Sequence, residues 1–224
     1  MMDVGEFIDR EKARGDCYRL LAACFYQPEK DVLLGDDVFN NIALLVNVLS
    51  PEASALASRM AEAFSQVSEE ELSVDYAKLF VGPNELLAAP YGSVYLDGDR
   101  RVMGDSTMEV IKFYEGEGLA MDGDFRNLPD HITVELEFMY YLIFKEIVAL
   151  EKSDMDGARA CIDKQERFLE GFLNRWAGPF CEKVMAGANC GFYRALAGCT
   201  AAFIRDSQAP VILPELLRQA KAAH

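Results

Sequence analysis

The sequence predicts an all-α protein, a single globular helical domain with a long ordered central loop. Three observations carry that expectation. Apolar residues recur at helical spacing through most of the chain, serine and proline signals punctuate those stretches, and no segment shows the strict alternation of a half-buried strand. No internal repeat or low-complexity segment interrupts the pattern. One domain is expected over residues 1–224, with any subdivision falling within the 81–105 loop.

The first helix is read from Glu6 to Tyr26, where Phe7, Cys17, Leu20, Leu21, Cys24 and Phe25 share a helical period and Pro28 follows as a stop. Val38–Leu49 and Ala53–Val67 are two more, separated by Ser50-Pro51-Glu52, a serine cap with proline at the first helical position. Asp75–Phe80 belongs to a fourth. From Val81-Gly82-Pro83-Asn84 to Gly104 the helical period is lost among prolines, glycines and a Leu-Asp-Gly-Asp turn, which marks the long loop. Helix resumes at Ser106, with Glu109 in capping-box position, and runs to about Gly116-Glu117-Gly118. A second loop covers Met121–Asn127. In the next helix Ile132, Leu136, Met139, Ile143, Ile147 and Leu150 form one apolar stripe, so this helix is expected to be buried along its length. Asn127 is its expected cap, with Pro129 in its first turn. Asp154–Trp176 and Pro179–Ile204 supply two further helices, with Ala186-Gly187-Ala188 as punctuation, and Pro214–Ala223 a short terminal one.

With 224 residues, 51% of them hydrophobic, the chain can bury a substantial core. No stretch approaches the ~18 consecutive apolar residues of a membrane span. The N-terminus lacks a basic region followed by an apolar run, so a cytoplasmic protein without stable membrane insertion is expected. The six cysteines are scattered and read as buried thiols. A formal charge of −15 disfavours nucleic acid and anionic lipid and attracts a basic partner, although the same charge also serves solubility alone. Arg100-Arg101 lies mid-chain without a following apolar run and is not a targeting motif.

Imidazole chemistry rests on His131, because the other histidine is the terminal His224. His131 and Glu135 stand one helical turn apart. The pair can be read as a metal-ligand fragment, a general base, or a polar patch at the rim of a binding surface; the bland alternative is that Asp130 and Glu135 only satisfy the helix N-terminus and hydrogen-bond His131. Metal is disfavoured, because a second His-Glu set and Cys-x-x-Cys are both missing. Ser93 lacks a nucleophile elbow, and no phosphate-binding glycine loop is present. Neither a catalytic site nor a cofactor is therefore expected.

Several motifs recur in order: Tyr76-x-x-Leu79-Phe80-Val81-Gly82-Pro83, then Ala89-Pro90-Tyr91-Gly92-Ser93-Val94-Tyr95, then Gly104, Tyr114, Gly118 and Leu119, and finally Pro129-Asp130-His131-Ile132-x-x-Glu135-Leu136-Glu137-Phe138-Met139. The chain thereby resembles the TorD/DmsD/NarJ family of redox-enzyme maturation chaperones. The resemblance implies that family's all-α fold and a cytoplasmic chaperone, not an enzyme. Its partners would be the N-terminal signal peptide and catalytic subunit of a molybdenum enzyme, and the twin-arginine export machinery that receives them. Residues matching the family's binding motifs are Leu79, Phe80, Pro90, Tyr91, Ser93, Tyr95, Gly104, Asp130 and His131, with Tyr26 as an aromatic of the first helix. Two positions depart from the family pattern: Tyr91, where many members carry tryptophan, and Asn127, where an acidic residue often stands.

A twin-arginine signal joins two cations to an apolar segment, so its receptor needs carboxylates beside an apolar groove. Asp97, Asp99, Asp105, Asp130 and Glu135 are candidates for the first, and Leu79, Phe80, Tyr91 and Tyr95 for the second. Simple core packing competes as an explanation for Phe80 and Tyr95. His131 could tune the grip by titrating near physiological pH. The remaining alternatives are a helical enzyme using His131 with Glu135 or Asp130 as acid and base, and a general adaptor. Both a monomer and a dimer made by exchanging helices are compatible with the sequence.

Overall fold

A computed structural model describes residues 3–35, 38–47, 49–82, 86–98, 101–120 and 127–210. Eleven α-helices follow one another among these residues: α1 Val4–Cys24, α2 Lys30–Gly35, α3 Val38–Asn47, α4 Pro51–Gln66, α5 Glu69–Tyr76, α6 Ser93–Leu96, α7 Asp105–Gly116, α8 Ile132–Glu151, α9 Met155–Phe168, α10 Asn174–Gly187 and α11 Gly191–Asp206. Two π-helical turns, Ala77–Val81 and Leu169–Leu173, extend α5 and join α9 to α10. The only bridge of β type among the described residues is an isolated antiparallel pair, Tyr91 with His131. The terminal helix expected at Pro214–Ala223, His224, Asp99, Arg100, Pro83, Asn84 and most of the second loop lie outside the described residues.

Local chemistry sets the helix starts. Asp3 and Glu6 form a capping box on α1, Ser50 accepts the Ala53 N–H ahead of Pro51, and Ser68 with Glu71 boxes α5. The cap expected at Ser106 is different: α7 begins one residue earlier, and Ser106 N–H and Oγ–H both donate to Asp97 across the loop. The break expected before Pro179 is absent as well. α10 runs through Pro179, held by the burial of Trp176, Phe180, Cys181 and Val184 along one face, and stops only at Gly187.

The most extensive pairings are α1 with α8, α4 with α11, α8 with α9, and α3 with α4. Gly15 lets α1 and α8 approach closely, since a Cβ there would lie 3.2 Å from Ile143 and 3.4 Å from Tyr140. One continuous apolar cluster runs from Cys17 through Met139 to Ile204, and five of the six cysteines are buried without a disulfide. No helix is long and apolar enough to cross a membrane among the described residues.

A buried polar knot ties α1, α8 and α9 together. Arg14 donates to Glu11 Oε2 from Nε at 2.8 Å and from Nη2 at 2.6 Å, and also to Gln165 Oε1. Gln165 Nε2 donates in turn to Glu146 Oε2 at 2.7 Å. Burial, reinforced by the Glu11 charge, pushes the Glu146 carboxyl up to about 8 against the pull of Arg14 and Gln165.

Removing Arg14 strands buried carboxylates, so Arg14→Ala is expected to lower unfolding free energy by about 3–5 kcal/mol in urea titrations. The sign of the pH dependence follows from the raised Glu146 value: the folded state holds a proton that the unfolded chain releases near pH 4–5. Its stabilising contribution is therefore full below that range and lost as pH rises toward 8. Thermal midpoints of Glu146→Gln are expected to fall less steeply than those of the native chain between pH 5 and 8.

Candidate functional site

The loop between α5 and α7 is closed at its middle by the segment that precedes α8. Ile132 N–H donates to Pro90 O at 2.9 Å and Gly92 N–H to Asp130 O at 2.8 Å, the two main-chain bonds of the Tyr91–His131 bridge. The Asp130 carboxylate then accepts the Ser93 N–H at 2.8 Å, capping the four-residue helix α6 from a distance of 37 positions in sequence. Tyr114 O–H fixes the approach by donating to Pro129 O at 2.9 Å. These residues form a clasp with its polar groups turned inward, and Pro90, Ser93, Asp130, His131 and Glu135 are all buried in it.

His131 is the N-cap of α8, in place of the expected Asn127: its Nδ1 accepts the Thr133 N–H at 3.2 Å and lies 2.8 Å from Thr133 Oγ1. An Nδ1 lone pair is needed for that role. Burial pushes the imidazole down to about 4, so His131 is neutral at physiological pH and does not titrate there, contrary to the expectation of a pH-tuned grip. Glu135 does not bond His131 either. Its Oε2 accepts the Trp176 Nε1–H at 2.9 Å, and burial, opposed by that bond, holds its carboxyl well above the usual carboxylate range.

Leu79 and Phe80, expected as groove walls, are core residues: Leu79 is fully buried, and Phe80 packs edge-on against Phe25, Tyr76 and Tyr193. Tyr95 is half-buried and stacked on Trp176 with centroids 5.7 Å apart, while Lys183 Nζ sits 4.8 Å from its ring centroid. Gly104 is needed because a Cβ there would run into Asp97. Of the expected carboxylates, Asp97 serves Ser106, Asp130 serves Ser93, Glu135 serves Trp176, and Asp105 is exposed.

Outside the clasp lies an open apolar groove of about 630 Å³ between the loop and the end of α10, lined by Leu86, Leu87, Ala89, Tyr91, Val94 and Val102 with Lys183 and Gly187 opposite. Tyr91 is the clasp residue that faces it. Sequence reading missed Leu86, Leu87 and Val102, which carry no motif and are exposed apolar or half-buried loop residues. It also missed Glu137, whose Oε1 accepts the Tyr26 O–H at 2.9 Å. No group of three or more potential metal-ligating side chains occurs among the described residues.

The sequence matches the model of the nitrate reductase delta subunit family over residues 47–182. It is 27% identical over 208 residues to the chaperone protein TorD of Photobacterium profundum, covering 88% of this chain and 94% of that one. It is 28% identical over 204 residues to the Tat proofreading chaperone DmsD of Salmonella typhimurium, covering 88% and 89%. The fold is similar to that of a solved chain from Archaeoglobus fulgidus assigned as a redox enzyme maturation protein, with a TM-score of 0.52 over 88% of this chain and 93% of that one at 19% identity.

The clasp makes a steric prediction. A Cβ at Gly92 would lie 3.0 Å from Trp176 Nε1 and 3.1 Å from Glu135 Oε1. Gly92→Ala is therefore expected to destabilise by about 1–3 kcal/mol in chemical denaturation. Gly116→Ala, where the added methyl meets nothing within 4 Å, is expected to be neutral or stabilising.

Proposed function

The chain belongs to the nitrate reductase delta subunit family, and on that premise we propose that it is a cytoplasmic chaperone binding the N-terminal signal segment of a molybdenum-cofactor oxidoreductase subunit. Holding that segment would keep the client from the twin-arginine export machinery until its cofactor is inserted. The relatives named as TorD and DmsD chaperones support this reading. The observation that carries it is the groove beside Tyr91: an open apolar channel on an acidic protein suits a peptide that joins an apolar run to basic residues.

Enzymatic use of the same residues fits poorly. The Nδ1 of His131 is spent on capping α8, and Glu135 is sealed against Trp176. Neither is placed to exchange a proton with a ligand in the groove.

Titration calorimetry with a twin-arginine signal peptide from a molybdenum enzyme tests the proposal. Saturable binding is expected, and Tyr91→Ala or Leu87→Asp should each weaken it about tenfold or more with the thermal midpoint little changed. Failure to bind any of a panel of such peptides would contradict the proposal.

A further inference from the structure

A second feature lies where Tyr26 meets α8. Thr133 and Glu137 stand one turn apart on α8, off the buried Ile132–Leu136–Met139 stripe. Tyr26, just past the end of α1, donates its phenol O–H to Glu137 Oε1 at 2.9 Å and also interacts with Thr133. Tyr76, at the end of α5, lies close enough to act electrostatically with both Tyr26 and Tyr91. Tyr91 in turn meets the His131 ring edge-on at 5.4 Å. Glu137 and the three tyrosines are each half-buried, so this is a rim open to solvent.

Among the described residues no cation answers the charge of Glu137. No lysine or arginine among the described residues pairs with it; Arg19, from α1, instead lies over Tyr140 at 5.8 Å and pairs with Asp16 at 3.4 Å. Partial burial lifts the Glu137 carboxyl above its ordinary range, opposed by the Tyr26 hydrogen bond. An incoming cation would relieve that desolvation, and aromatic edges and faces around a carboxylate suit a planar guanidinium better than a compact ammonium.

We propose that Glu137, with the Tyr26 phenol bonded to it, is the seat of a signal-segment arginine, while the groove beside Tyr91 takes the apolar run. The assignment rests on the signal-segment function proposed above. Charge elsewhere points the same way. Lys183 lines the groove and repels arginine there. Asp130 and Glu135 are buried and engaged, and the cleft that holds Asp97 and Asp105 also holds Arg101. Glu137 is thus a half-buried carboxylate, bonded to Tyr26, with no lysine or arginine partner among the described residues.

The test is a cycle of titrations on the full chain, native against Glu137→Gln, with a twin-arginine signal peptide and the same peptide with both arginines changed to alanine. Glutamine keeps the shape and the Tyr26 bond. Glu137→Gln should weaken the arginine peptide about tenfold and leave the alanine peptide unchanged, so that the two peptides become nearly equal on the variant. Asp105→Asn should leave the preference for arginine intact. Equal losses for both peptides, no loss, or loss of the arginine preference in Asp105→Asn would each overturn the assignment while leaving the signal-segment function standing. Absence of binding by the native chain to either peptide would overturn both.

Discussion

Two antiparallel main-chain hydrogen bonds and one carboxylate hold residues 90–93 against the entry to α8, and the surface around them takes its shape from that clasp. Among its described residues the loop between α5 and α7 holds one helix, the four-residue α6. Pinned at its centre, it becomes a wall: its first half carries Leu86 and Leu87 over the end of α10, and its second half leads through α6 to the Asp97 cap of α7. Burial makes the pinning strong, since a broken bond there leaves a polar group without water. Gly92 is the point of closest approach, with Trp176 and Glu135 both against its backbone.

The acidic residues divide between two tasks. Glu11, Glu146, Asp130 and Glu135 are buried and tie helices or loops to one another, and burial keeps Glu135 and Glu146 protonated to higher pH than an exposed carboxyl. Glu137 and Asp105 remain open to solvent and add to the field that draws in a basic partner. The family motif Pro129-Asp130-His131 falls wholly in the first group. Its conspicuous chemistry builds the platform, and the open residues beside it are left to meet a ligand.

Much of this was legible in the sequence, for reasons visible in particular residues. The α8 stripe and the Ser50-Pro51 start gave two helices nearly to their ends, because both signals are local. Six-residue α2 is too short to show a period, and neither π turn has a sequence signature. Pro179 suggested a break because the burial of Trp176 and Phe180 on either side of it is a tertiary fact. Likewise Asp97 caps α7 and Asp130 caps α6 across gaps in sequence that no local motif records. Glu135 was singled out by its distance from His131, yet at about 100° per residue it falls near the edge of the buried stripe. Glu137, about 120° from the stripe's centre, lies off it by the same count, and although it falls inside the Pro129–Met139 motif, nothing local there marks Tyr26 as its partner.

The Asp130–His131 segment acts as a buried clasp formed before any ligand arrives. Amide hydrogen exchange of the full chain, with and without a signal peptide, measures this at the Gly92, Ser93 and Ile132 N–H groups. All three are predicted to exchange slowly in the free protein and to change little when peptide is added. Fast exchange in the free protein, with protection appearing only in the complex, would contradict the account and make the clasp a product of binding.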